Sequence, residues 1–195
     1  MESILTYNNL IEKFKEIDST NEQVIAIVLA PYNLSKVAKI IDQIYDAYDF
    51  HCENGYIHIC WIGYIRSYNM NRYRWKVNQH YDNNLCFDLK IFNEIVNNLN
   101  QEWTFEYKNR FEIVLVKLYK NKIYFNEHIR IDFDKEFSNS YEMIDFILSI
   151  NQAMNQFKTF KSLKLEIKSS RNLKRLKKIK LSDLLEFLPI FEKIK

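Results

Sequence analysis

Apolar positions recur along the chain with two periods, and where the period changes the expected element changes with it. Tyr7, Leu10, Ile11, Phe14 and Ile17 sit at helical spacing with Glu12, Lys13, Lys15 and Glu16 between them, which predicts an amphipathic helix over 5–17. The run VIAIVLA inside 22–30 is apolar without interruption and stops at Pro31, the pattern of a strand covered on both faces. Ser35 is placed to cap a second helix with Val37, Ile40, Ile41, Ile44 and Tyr48 on one face. Asn54-Gly55 then marks a turn into a strand over 56–62, in which Tyr56, His58 and Cys60 share a side, and Gly63 ends it.

Periodicity fails from Tyr64 to Cys86, and connections that long inside a compact domain commonly carry function. It returns at Asp88, a potential cap for a helix through Ile91, Phe92, Ile95, Val96 and Leu99. After the aromatic alternation Trp103 to Tyr107, residues 111–119 and 122–133 read as a hairpin turning at Lys120-Asn121. A helix from Ser140 with the stripe Met143, Ile147, Ile150, Met154 and Phe157 follows. The alternation Leu163, Leu165, Ile167 predicts one more strand, and Leu181, Leu184, Leu185 and Leu188 a last helix with Asp183 and Glu186 near its start. Strands alternating with helices predict an α/β fold: a mixed sheet with helices on both faces, compatible with a thioredoxin-like βαβαββα order over 22–157. The expected organisation is a core over 1–157 and a basic strand and helix extension over 158–195 packed on the same domain.

The residues Phe50, His51, Asn54-Gly55, Ile57-His58-Ile59-Cys60-Trp61 and Gly63-Tyr64, then Trp103, Glu112-Ile113-Val114-Leu115-Val116 and Ile131-Asp132-Phe133, carry a resemblance. This pattern resembles a group of small bacterial α/β proteins associated with antiphage defence loci, in which an aromatic strand ends in Gly-Tyr and a Trp precedes an apolar strand. The resemblance spans about residues 22–157 and implies a fold and a defence setting, with no catalytic residue to carry over.

Composition narrows the chemistry. Two glycines, Gly55 and Gly63, are too few for a phosphate-cradling loop, and no nucleophilic serine stands between glycines, so neither a cofactor nor a catalytic set is expected. Three cysteines without a CxxC pair point to a reducing cytoplasm. No apolar leader follows Glu2, and Val24 to Ala30 falls well short of the roughly 20 residues of a membrane span.

The net charge of +3 hides an asymmetry. Residues 158–180 hold ten Lys or Arg against Glu166 alone, a local +9, which leaves −6 on the rest. Within this stretch Arg171, Lys174, Arg175, Lys177 and Lys178, with Leu173 and Leu176, form a candidate basic amphipathic helix for nucleic acid, an anionic surface or an acidic partner. A second basic segment holds Arg66, Arg72, Arg74, Trp75 and Lys76 among Tyr64, Tyr68, Tyr73 and Tyr81, where guanidinium groups would pair with phosphate and rings would stack on bases. The bland alternatives are a solvated helix face and a loop folded back on the body.

Two weaker constellations stand beside these. His51, Cys52, His58 and Cys60 are close in sequence but lack zinc-ligand spacing, so no metal is expected. Glu166-Ile167-Lys168 matches the ExK element of metal-dependent nucleases, with Asp132 or Asp134 as the other carboxylate, although a half-exposed strand shows the same alternation. The leading expectation is a non-enzymatic sensor or accessory module that contacts nucleic acid or an effector protein through basic segments. A nuclease using Asp132, Glu166 and Lys168, and a subunit docking an effector through its C-terminal helix, are the alternatives. The exit at Gly63-Tyr64, where the regular core gives way to the Arg and Tyr loop, is the expected place for a site.

Overall fold

The computed structural model describes residues 2–4, 6–16, 20–34, 36–41, 57–66, 85–103, 106–157 and 159–177. In chain order these form β1 (Glu2–Ile4), α1 (Tyr7–Glu16), β2 (Gln23–Leu29), α2 (36–41), β3 (Ile57–Ile62), β4 (Tyr64–Arg66) and β5 (Leu85–Phe87). They continue with α3 (Leu89–Trp103), β6 (Glu112–Tyr119), β7 (Lys122–Asp132), α4 (Phe133–Glu136), α5 (Ser140–Phe157) and α6 (Phe160–Lys177). A five-stranded sheet has the order β1-β3-β2-β6-β7. The pairs β1/β3 and β2/β3 are parallel, while β2/β6 and β6/β7 are antiparallel. The sheet is therefore mixed, and the fold is α/β. Leaving aside the short edge strand β1, the order β3-β2-β6-β7 is the thioredoxin-like one, without any redox motif attached to it.

Register explains why the central strands are apolar throughout. His58 and Cys60 pair with Ile25 and Ile27, which pair in turn with Val116 and Val114, so these residues share one face. Phe14 of α1 meets His58 edge-on and Trp103 of α3 stacks on His128, which puts α1 and α3 on that face. The alternate residues Val24, Ala26, Val28 and Leu115 are buried as completely, and the same core takes in Met143, Ile147, Ile150 and Met154 of α5. A strand packed on both sides has no position for a polar residue, hence VIAIVLA.

The caps and turns follow local chemistry. Asp88 accepts hydrogen bonds from the backbone N–H of Lys90 (2.8 Å) and Ile91 (3.0 Å), satisfying donors that the first turn of α3 leaves over. Lys120 and Asn121 both have positive φ, at 48° and 59°, the geometry of a two-residue hairpin turn. The hairpin they close is the one the sequence predicts.

Two expectations are corrected here. The stretch 64–86 is not irregular from end to end: Tyr64–Arg66 pairs antiparallel with Leu85–Phe87, so a small ladder forms the stem of the loop. And no strand forms at 163–167, because these residues lie inside the 18-residue helix α6. The alternation of Leu163, Leu165 and Ile167 is coincidental: Leu163 and Ile167 are 1% and 4% exposed, but Leu165 is 62% exposed. Phe160, Leu163 and Ile167, spaced i, i+3, i+7, are the true apolar stripe, and they are part of the same core as residues before 157. β1 has no counterpart in the sequence reading, as three residues are too few for a period to show.

Gly63 is required where it stands. Its φ is +80°, and a Cβ there would lie 2.9 Å from Phe92 Cβ and 3.1 Å from the carbonyl oxygen of Asp88. Both neighbours are tied down, Phe92 in the core and Asp88 by the bond from its own N–H to Gly63 O (2.9 Å). Gly63→Ala is expected to cost about 1–3 kcal/mol in a denaturant titration. An unchanged midpoint would show that the backbone relaxes without penalty.

Candidate functional site

The site is built from the start of α6 upward. Thr159 caps the helix, its Oγ1 accepting from the Ser162 N–H at 3.3 Å and its carbonyl from the Leu163 N–H at 3.2 Å. The Phe160 N–H donates to Glu22 Oε2 at 2.6 Å, which ties the first turn to the chain just before β2 and places a carboxylate at the positive end of the helix. With Phe160, Leu163 and Ile167 turned into the core, Lys161, Lys164 and Lys168 are exposed. At about 100° per residue these three fall on one side of the helix, and Arg171 and Arg175 occupy the next register positions of the same row. Glu166 lies off that row. α6 holds seven basic residues and this one acid, a net +6.

The correction from strand to helix thus enlarges the basic surface. The sequence reading finds Arg171, Lys174, Arg175 and Lys177 as a basic face but leaves out Lys161 and Lys164 and takes Lys168 for an ExK residue, because it expects a strand over 163–167. Thr159 before the spacing Phe160, Leu163, Ile167 was the signal that could have found them. Lys178 lies outside the described residues, as does the helix expected over 181–188.

Of the second basic segment, Arg66 is placed on β4, and Arg72, Arg74, Trp75 and Lys76 lie outside the described residues. The stem is firmly seated. Tyr64 is fully buried, its hydroxyl donating to the carbonyl of Ala30, and its ring contacts Phe87 at 4.9 Å between centroids. Tyr64 therefore packs the core and is not a platform for a base. The stem leaves the sheet where β2 and β3 finish, whereas α6 starts beside Glu22 where β2 begins, so the two basic segments enter from opposite ends.

A second constellation closes the far end of the sheet. Glu112, 1% exposed, pairs in register with Asp132. Arg110 Nε donates to Glu112 Oε1 (2.5 Å), Arg130 Nη2 and Nε donate to Oε2 (2.5 and 3.2 Å), and Arg110 Nη1 reaches Asp132 Oδ2 (2.6 Å). Both oxygens of the buried carboxylate are thus engaged by guanidinium groups, the arrangement that makes burial of a charge tolerable. Asp132 also accepts from the Asp134 N–H at 3.1 Å, starting α4, and Asp134 pairs with Lys36. This network braces β6, β7 and the chain after β2.

Its engagement bears on the ExK residues. Asp132 is held by Arg110 and Lys135, and Asp134 by Lys36. Glu166 and Lys168 are exposed on α6, so the extended ExK geometry that suggested metal catalysis is not formed. His58 Nε2 is bonded to Gln23 Oε1 at 2.7 Å, while His51 and Cys52 lie outside the described residues. Among the described residues no group of three or more His, Cys, Asp or Glu is placed to hold a metal ion.

Two phenols are held protonated. Tyr107 donates to the Arg110 carbonyl at 2.7 Å, and burial together with the Glu112 carboxylate pushes its pKa far above the usual tyrosine value. Tyr7 is pushed up to about 12 by burial and by Glu102. Unfolded tyrosines ionise near pH 10, so the stability these groups lend is complete below about pH 10 and is lost as pH rises through their raised folded values. Tyr107→Phe and Tyr7→Phe should therefore flatten the fall in denaturation midpoint measured from pH 9 upward, to about pH 12 for Tyr7; an identical fall in the variants would contradict the assignment.

Comparison with protein-family models, curated proteins and solved structures finds no match for this chain. No helix among the described residues is long and apolar enough to cross a membrane. What the protein does must be argued from its own surface.

Proposed function

We propose that the protein is a non-enzymatic binding module, a sensor or accessory subunit, that holds nucleic acid on the basic row of α6. The observation that carries this reading is the row itself: Lys161, Lys164 and Lys168 stand exposed on a helix whose other side is locked into the core, with Arg171 and Arg175 in register beyond them. Charges fixed on a rigid element lose little freedom when they meet a row of phosphates, and each contact releases counterions. The resemblance to small α/β proteins associated with antiphage defence loci supports a setting in which such a module would accompany an effector, and three cysteines without a CxxC pair support a cytoplasmic one.

Anisotropy of a labelled oligonucleotide tests this. Wild-type protein should bind at low salt, and Lys161→Glu, Lys164→Glu and Lys168→Glu combined should abolish binding with the circular dichroism unchanged. Equal binding by this variant would end the reading.

One observation favours a second reading. Leu165, 62% exposed beside the row, is an apolar contact that phosphate does not need and a partner protein would use. Docking on an effector would then use Leu165 together with residues 170–195, and Leu165→Asp combined with their deletion should abolish co-purification with the product of a neighbouring gene while leaving the core folded. Continued co-purification would exclude it.

A further inference from the structure

We infer that the α6 row takes the phosphate backbone of a duplex and does not read its sequence. This rests on the nucleic-acid reading above and says which nucleic acid the row fits.

The helix that carries the row is long enough to follow a duplex. From Lys161 to Arg175 the helix rises about 21 Å, at 1.5 Å per residue. A duplex carries one phosphate per about 3.4 Å of its axis on each strand, so such a span runs past roughly six phosphates of a strand. The row is held straight at its start by the Thr159 cap, the Glu22 carboxylate and three core side chains. A stiff line of cations matches a stiff polyanion.

α6 lacks exposed aromatic rings. Sequence-tolerant binding of single strands depends on rings that stack on unpaired bases. The single aromatic residue of α6 is Phe160, and it is 1% exposed. Tyr64, first of the rings in the Arg and Tyr segment, is spent in the core and bonded to Ala30. α6 thus offers no exposed ring on which a base could stack.

Direct readout uses planar, bidentate groups brought into the major groove, whereas lysine ammonium groups act as point charges on phosphate. On α6 the exposed cations at the start of the row are Lys161, Lys164 and Lys168, the acid Glu166 is off their line, and the arginines in the later register positions, Arg171 and Arg175, are of the type that also pairs bidentately with phosphate oxygens. Such a surface fixes position on the backbone and carries no sequence code.

The experiment measures anisotropy with a 20-base-pair DNA duplex, a shuffled duplex of the same composition and each separated strand, in full-length protein. Three proteins are compared: wild type, the Lys161/Lys164/Lys168→Glu variant, and an Arg72/Arg74→Ala, Trp75→Ala variant. The duplex should bind at least about 10-fold more tightly than either strand, the two duplexes within about 2-fold of each other, and only the α6 variant should lose binding. Tighter binding of a single strand, a change of more than about 10-fold between duplex sequences, or loss of duplex binding in the loop variant would overturn the inference and leave the nucleic-acid reading standing. Absence of binding to every probe would remove that reading, and this inference with it.

Discussion

Glu112→Ala is expected to destabilise the fold by about 3–5 kcal/mol, the range for removing one partner of a buried ion pair. The carboxylate is 1% exposed and accepts from both Arg110 and Arg130, whose side chains are 31% and 27% exposed. Deleting it leaves two partly desolvated guanidinium groups without the carboxylate they share, while Asp132 stays paired with Arg110. The loss should come from those stranded charges and not from the missing attraction alone. Replacing Arg110 and Arg130 by Met and Glu112 by Leu together should therefore recover much of the stability. Denaturant titration of the three proteins checks this. A cost below about 1 kcal/mol for Glu112→Ala would mean that water reaches the network freely.

Leu163→Ala is expected to cost about 2–5 kcal/mol, and Leu165→Ala no more than about 0.5 kcal/mol. A strand over 163–167 would put Leu163, Leu165 and Ile167 on the same side and make them equivalent. The helix separates them, with Leu163 at 1% and Ile167 at 4% exposure against 62% for Leu165. Urea midpoints of the two single variants thus distinguish helix from strand without any structural method. Similar losses at both positions would contradict the placement of α6. The large effect at Leu163 would also show that the chain after 157 shares the core of the residues before it.

The parts of the fold that could be read from the sequence are those in which one physical demand acts alone. The middle stretches of β2 and β6, residues 24–29 and 113–116, are buried on both faces and must be apolar, so VIAIVL and IVLV announce themselves. α3 has one buried face with Asp88 as its cap, and both features are visible in the letters. At 163–167 two demands coincided: a helical stripe was overlaid by an exposed leucine that completed an alternation. Nothing within those five residues resolves the ambiguity. It is resolved by Thr159 and Phe160, which precede them, and by Glu22, which is 138 positions away from the Phe160 N–H it accepts.

The candidate site was legible in part for the same reason. A local excess of ten cations over one acid is visible without any structure, but which of them form a row depends on the element that carries them. On a strand Lys161 would lie on the side opposite Lys164 and Lys168; on a helix all three join Arg171 and Arg175. The bracing network of Arg110, Glu112, Arg130 and Asp132 was not legible at all. Its members come from β6, β7 and the turn before β6, and only the register Glu112 to Asp132 brings them together.

That phosphate is held by the α6 row is tested most directly by the salt dependence of duplex binding. Five cations on five phosphates predict a slope of log K against log salt near about −4.5, which should fall to about −2 when Lys161, Lys164 and Lys168 are replaced by alanine. A slope unchanged by these three substitutions would contradict the account.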